Sequence, residues 1–303
     1  MRYKLWGAED MAWHFHLSER FDEQRDLWEA PPSPGPPVIP KRIHQIWLGP
    51  ALMDEFHSYI QSWKNHHPDW EYTLWTEREI ENWKLQNQAA YDMATNFGEK
   101  SDILRYEILE TFGGLYVDVD FECLKPFDQL HENPTCEFYA GLSNTRSVEI
   151  NNALIGCVPN HPILKAVISA IQRETKRRQL IADYAGVPVN DIPKLGTIAR
   201  TGPGVFTVQI MHSIGWVGHR PLIQNAATAV ILPYKALYPL CNDDREDQEA
   251  IQRARTQPGA FAIHYWAYSW DRKPIEWDAR SKSLDISVPP EIISRIDRTT
   301  KQS

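Results

Sequence analysis

Asp118 and Asp120 stand one residue apart at the end of an apolar run, Leu115, Val117 and Val119, and the alternation reads as a strand with both carboxylates on one face. Alternate strand residues point the same way, which places the pair roughly 7 Å apart at Cα. Converging carboxylates repel unless something positive joins them, and a hard divalent cation with oxygen ligands suits them. A bare Asp-x-Asp also occurs on solvated strand faces. Here it closes a continuous apolar strand, where a solvated pair is less expected, and that favours a metal site. Asp102 and Arg105, three apart, share a helix face. They are either a surface ion pair of little weight or a carboxylate and a guanidinium fork suited to a polyol. His264, within Ala262-Ile263-His264-Tyr265-Trp266, is either a hydrogen-bonded core residue or an imidazole ligand. Trp47 ends an apolar strand, as core or as a flat stacking platform.

The elements that must position these residues alternate in type. Residues 43–48 read as a strand, and Phe56, Tyr59, Ile60 and Trp63 as the stripe of a helix. Residues 70–75 form a second strand, after which Thr76 and Glu79 have capping-box spacing. Residues 101–112 read as a helix stopped by Gly113-Gly114, residues 115–121 as the strand of the aspartates, 163–179 as a helix and 261–266 as a late strand. Thr201-Gly202-Pro203 fits an N-cap with a first-turn proline. Strands interleaved with helices imply an α/β sheet with parallel pairs. Ahead of them Met11, Phe15, Phe21 and Trp28 give a modest helical pattern, followed by Pro31-Pro32-Ser33-Pro34-Gly35-Pro36-Pro37, a stiff linker. Residues 1–37 therefore read as an appendage, 38–280 as the main domain and 281–303 as a tail.

A chain of 303 residues with 42% hydrophobic and 24% charged residues has the composition of a globular protein. Its formal charge of -8 argues against nucleic acid as the main partner, because phosphate binding needs a basic surface. Cys123, Cys136, Cys157 and Cys241 show no C-x-x-C spacing, so neither zinc nor a disulfide framework is expected. Residues 1–10 lack the apolar core of a signal peptide and no apolar run reaches membrane-spanning length, so a cytoplasmic location is expected. The Golgi lumen or secretion is the alternative if an anchor or signal lies outside this sequence.

Ser101-Asp102-Ile103-Leu104-Arg105-Tyr106, followed by Gly-Gly-x-Tyr-x-Asp-x-Asp at 113–120, resembles glycosyltransferase family 32, the group with a DXD sugar-binding region that includes fungal initiation-specific α-1,6-mannosyltransferases. It is also similar to the catalytic domain of clostridial glucosylating toxins. Four further patches agree in order: residues 39–47, Asn152-Ala153 with His161-Pro162, Thr201-Gly202-Pro203, and residues 264–270. The resemblance spans residues 38–271 and implies a GT-A fold, a Rossmann-like mixed α/β sheet flanked by helices.

The same resemblance implies transfer of a hexosyl group from a UDP- or GDP-sugar, with Mn2+ or Mg2+ and with retention of the α configuration. The acceptor would be a hydroxyl of a glycan, lipid, small molecule or protein. Asp120 and His264 would bind the metal, with Asp118 reaching it through water or holding the ribose. Trp47 would stack on the base beside Ile46. Asp102 and Arg105 would reach the sugar hydroxyls, with Arg105 also near the diphosphate, and Asn152 would lie near the anomeric carbon. Ser269 and Trp270 would belong to a loop closing over the diphosphate. No base is assigned, which favours same-face attack assisted by the leaving phosphate; Glu149 is the candidate that would change this. A toxin-like, protein-modifying transferase and a catalytically silent nucleotide-sugar-binding module are the rival readings.

Overall fold

Two apolar layers sandwich one sheet, and the alternation of strand residues assigns each side chain to a layer. The computed structural model describes residues 16–17, 36–145, 148–192, 194, 196–215, 221 and 226–267. The labelled elements, in chain order, are β1 (Arg42–Ile46), α1 (Asp54–His66), β2 (Glu71–Trp75), α2 (Phe97–Phe112), β3 (Gly114–Val117), β4 (Phe121–Cys123), β5 (Phe138–Leu142), β6 (Ile150–Cys157), α3 (Pro162–Ala185), α4 (Pro203–Ile214), β7 (Ala229–Leu232), α5 (Gln248–Arg255) and β8 (Ala262–His264). Short helical turns lie between them. The main sheet runs β2-β1-β3-β6-β5-β7, and β4 pairs with β8 in a small second sheet. It is mixed: β1 is parallel to β2 and β3, β6 is antiparallel to β3 and β5, and β5 is parallel to β7.

One face of the sheet carries Tyr116, Phe138 and Ile155 against α2, α3 and α4. The other carries Ile43, Leu115, Val117 and Leu154 against Trp63 of α1 and against the small sheet. The helical stripe read from the sequence is the one α1 buries: Phe56, Ile60 and Trp63. The capping box also forms, with Glu79 Oε2 accepting from the Thr76 amide at 2.9 Å. Leu17, upstream of the Pro-rich stretch, is buried in the α2-side core. Apart from His16, Leu17, Pro36 and Pro37, the N-terminal appendage lies outside the described residues, as do the tail at 281–303 and both loop residues Ser269 and Trp270.

The double glycine sets where the aspartates begin. Gly113 ends α2 with φ 62° and Gly114 opens β3 with φ 98°, both in the region that favours glycine. A Cβ on Gly113 would stand 2.7 Å from Pro159, and one on Gly114 would stand 2.7 Å from the Arg42 carbonyl of β1. His44 fastens this junction: its Nε2–H donates to the Gly113 carbonyl (3.0 Å) while Nδ1 accepts from Trp75 Nε1 (3.2 Å).

One expectation is corrected at this point. Residues 115–121 are not one strand. β3 stops at Val117, the Asp118 amide makes a last bond to the Ala153 carbonyl (2.8 Å), and the chain turns, with the Phe121 amide donating to the Asp118 carbonyl (3.3 Å). Phe121 then enters the other sheet, opposite His264. The apolar alternation continues through the turn because Val119 and Phe121 are both buried, which imitates a pleat. α2 also starts earlier than expected, at Phe97, since Asn96 accepts from the Glu99 amide (2.8 Å) as its N-cap.

Candidate active site

The turn does what the pleat was expected to do. Ligand atoms of Asp118, Asp120 and His264 lie within 4.8 Å of one another. Asp120 is fixed on three sides. Its carbonyl accepts from the Tyr265 amide (3.0 Å), Oδ2 accepts from the Ala267 amide (2.8 Å), and Oδ1 lies 3.2 Å from His264 Nε2. Trp266 takes a left-handed φ of 55°, rare for a residue with a side chain, and its indole N–H is tied to the Leu240 carbonyl (3.0 Å). That bend presents the Ala267 amide to Asp120.

His264 stacks on Phe121 at 4.5 Å and 6°, and its Nδ1 is buried without a hydrogen-bond partner. With the proton on Nε2, Nδ1 is left as an orphaned acceptor. With the proton on Nδ1, the Nε2 lone pair faces a carboxylate oxygen. A cation shared by Nε2 and the two carboxylates relieves that repulsion, so the donor set fits a divalent metal. Burial pushes the Asp120 carboxyl up, but His264 and the Ala267 amide outweigh it and hold it below the ordinary range. Burial dominates at Asp118, together with the charge of Asp120, and raises it despite Arg105. Asp118 keeps 28% of its side-chain surface open, on the cavity side.

Asp102 and Arg105 are not a surface pair. Both are buried, at 6% and 5% exposure, because the start of β6 and the segment 197–203 cover this face of α2. Arg105 spans two carboxylates, with Nη2 3.1 Å from Asp102 Oδ1 and Nη1 3.1 Å from Asp118 Oδ1, and it donates to the Asn152 carbonyl (2.9 Å). Its guanidinium lies 4.6 Å from the centre of the Tyr116 ring, whose hydroxyl donates to Asp118 Oδ1 (2.6 Å). Burial pushes the Asp102 carboxyl up to about 6, with Arg105, Asn152 and Thr201 opposing.

Asn152 and Thr201 complete the network around Asp102. Asn152 Nδ2 donates to Asp102 Oδ1 and to the Tyr106 hydroxyl, both at 2.8 Å, so its amide is occupied in holding Asp102. Thr201 is no N-cap: its hydroxyl donates to Asp102 Oδ2 (3.0 Å), and Gly202 takes the cap position before Pro203. Tyr116 and Thr201 were missed as members of the network. For Tyr116 the signal was available, since its spacing of two from Asp118 puts both on one side. For Thr201 the Thr-Gly-Pro patch marked the position but not its partner, which lies 99 residues away.

These groups line one cavity of ≈ 530 Å³. Ile46 and Trp47 stand at its β1 end, where Trp47 is half-buried with its ring tilted 5.5 Å from Phe56. Glu149 and Asn151 line the β6 end.

A mixed sheet flanked by helices, with an Asp-x-Asp turn and a buried Asp–Arg pair at one cavity, is the arrangement of the GT-A fold. The family described as "Glycosyltransferase sugar-binding region containing DXD motif" matches residues 53–137 of this chain, the stretch that holds Asp102, Arg105, Asp118 and Asp120. The chain is 33% identical over 146 residues to inositol phosphoceramide mannosyltransferase 2 of Schizosaccharomyces pombe, covering 47% of this chain and 41% of that protein. It is 30% identical over 214 residues to mannosyl phosphorylinositol ceramide synthase CSH1 of Saccharomyces cerevisiae, covering 68% and 50%. The chain thus spans half or less of the length of these two relatives. Among solved structures, the catalytic domain of alpha-toxin from Clostridium novyi aligns with TM-score 0.47 at 11% identity, over 65% of this chain and 76% of that one. No helix among the described residues is long and apolar enough to cross a membrane.

Proposed function

We propose that this chain is a divalent-metal-dependent, retaining glycosyltransferase that moves a hexosyl group from a UDP- or GDP-sugar to an acceptor hydroxyl. The observation that carries the reading is the meeting of Asp118, Asp120 and His264 beside the buried Asp102–Arg105 pair in one cavity. Asp120 and His264 would hold Mn2+ or Mg2+ directly, and Asp118 would reach it through water or turn to the ribose. The cation, when bound, supplies positive charge against the departing diphosphate. Arg105 adds a fixed cation to the same wall, and Asp102 accepts from the sugar hydroxyls. Asn152 keeps Asp102 in place near the anomeric carbon, and Ser269 and Trp270 would close over the diphosphate. The names of the two fungal relatives make mannose the first sugar to test and a lipid-borne hydroxyl the first acceptor class.

In the transfer the bond from C1 to the phosphate oxygen breaks and a bond from C1 to the acceptor oxygen forms on the same face. The acceptor proton passes to the leaving phosphate oxygen. Asp102, Asp118 and Asp120 are all engaged with Arg105, His264 or backbone, which leaves none of them to serve as a base behind the acceptor.

The test is nucleotide release from UDP-glucose, UDP-galactose, UDP-N-acetylglucosamine and GDP-mannose with Mn2+ present. One donor should turn over, activity should vanish in excess chelator and in a folded Asp120→Asn variant, and coupling constants should show an α-linked product. Full turnover in chelator would overturn the metal role, and a β-linked product the retaining one. Trp47→Ala should weaken UDP or GDP binding by about 1–3 kcal/mol if one stacked base is lost. Calorimetry reads this directly, and unchanged affinity in a stable variant would return Trp47 to a packing role.

A further inference from the structure

The two ends of the cavity differ in how their charges are balanced. Around the Asp-x-Asp turn every carboxylate has a counter-group: Asp102 and Asp118 have Arg105, and Asp120 has His264. Glu149, on the same cavity, has none. Among the described residues no Lys, Arg or His pairs with it. Its carboxylate accepts from the Ser143 hydroxyl, and its Oε1 receives a long hydrogen bond from Asn151 Nδ2 (3.4 Å). Burial pushes its carboxyl up, opposed by the hydrogen bonds from Ser143 and Asn151.

The Asp118 amide bonds the Ala153 carbonyl, and from there back to Glu149 the chain leaves the regular ladder: the β5–β6 register shifts between Ile155 and Asn151, and Asn151 Oδ1 accepts from the Ala153 amide (2.9 Å). Among the described residues, the ligand atoms that meet at the turn are those of Asp118, Asp120 and His264, and Glu149 is not one of them. A nucleoside diphosphate placed at this end would face an uncompensated carboxylate in a concave wall, where solvent screens poorly. What an unpaired carboxylate accepts there is an uncharged hydrogen-bond donor.

We infer that Glu149, with Asn151 beside it, forms the acceptor subsite and selects an uncharged, hydroxyl-rich ring over one bearing a phosphate at that end. The inference rests on the glycosyltransferase reading, because the donor decides which end of the cavity remains. Glu149 is a specificity-determining residue: its two oxygens accept from neighbouring hydroxyls and orient the ring. The reacting hydroxyl still gives its proton to the leaving phosphate oxygen, so no proton is removed by Glu149.

The experiment uses the full chain with Mn2+ and the donor that turns over in the screen above. Acceptor probes are myo-inositol and methyl α-D-mannopyranoside, against inositol 1-phosphate and mannose 6-phosphate. The neutral probes should accelerate nucleotide release and the phosphates should not. Glu149→Gln keeps the shape but removes the charge. It should lower kcat/KM for the neutral probes by roughly tenfold or more and shrink their advantage over the phosphates by a similar factor. Glu149→Asp keeps the charge and should preserve the discrimination. Calorimetric affinity for UDP or GDP should be the same in all three proteins. Nucleotide binding with no response to any neutral probe, or Glu149→Gln with unchanged preference, would overturn the acceptor assignment while leaving the donor reading intact. A wild-type protein that binds neither nucleotide with Mn2+ would remove the donor reading and this inference with it.

Discussion

Arg105→Ala should cost the protein about 3–5 kcal/mol of stability, the typical price of removing one partner of a buried ion pair, and slow transfer on the order of 10²–10³-fold, as for a lost charge-stabilising donor. Arg105 is the shared partner of Asp102 and Asp118, and its removal leaves two carboxylates in one buried wall. An exposed helix-face pair would give neither effect. Arg105→Lys separates the two losses. An ammonium restores the charge, and with it much of the stability, but it cannot span Asp102, Asp118 and the Asn152 carbonyl as a planar fork does. Urea unfolding of both variants beside donor turnover is the check. Arg105→Ala with wild-type stability and turnover would mean that the pair holds nothing together.

Acid should unfold this protein well above the usual carboxylate range. Burial lowers His44 and His161 to about 4 and His131 to about 3. Each is committed to a neutral form. His44 accepts from Trp75, His161 Nδ1 accepts from the Ile163 amide (3.3 Å) as the N-cap of α3, and His131 lies between the Ile39 and Pro40 carbonyls and the Tyr139 hydroxyl. The sign follows from the depressed folded values: the unfolded chain binds more protons below pH 6.5, so stability present above that pH is lost as pH falls toward 4. Three such groups give a slope approaching about 4 kcal/mol per pH unit below 6.5, large against a typical total of about 5–15 kcal/mol. Asp102, raised to about 6, opposes between pH 6 and its ordinary value near 4, and the carboxyls of Asp118, Glu107 and Glu149, also raised, oppose in the same sense nearer the carboxylate range, below the window where the histidines first charge. The melting temperature should therefore fall steeply from pH 6.5 to 5, as scanning calorimetry would show, and a flat profile there would refute the prediction.

The parts legible in the sequence are those whose signal is local. The α1 stripe, the capping box at Thr76, the glycine stop and the spacing of Asp102 from Arg105 each depend on residues within a few positions of one another. The central strands were harder. β6 is buried at every position from Ile150 to Cys157, so it shows no alternation, and two asparagines interrupt its apolar run. Those asparagines are tolerated because Asn151 caps the Ala153 amide and Asn152 holds Asp102 and Tyr106. β5 and β7 are short, and nothing local distinguishes them from loop or helix. Spacing put Asp102 and Arg105 on one face but could not say what covers it, because Thr201 and Asn152 arrive from distant parts of the chain. The aspartate pair was found through a pleat that does not exist; the alternation that suggested it comes from a buried turn.

That turn also limits how the chain length can vary here. Surface connections ordinarily absorb insertions, since each added residue costs little closure entropy. Between Asp118 and Phe121 there are only two residues, and both ends are pinned, one by the Ala153 carbonyl in the main sheet and the other opposite His264 in the small one. An inserted residue would slide Phe121 by one position against β8 and turn every following β4 side chain to the wrong face. It would also part Asp120 from the Ala267 and Tyr265 amides that hold it. The number of residues in this joint is as much a part of the site as the two carboxylates it carries.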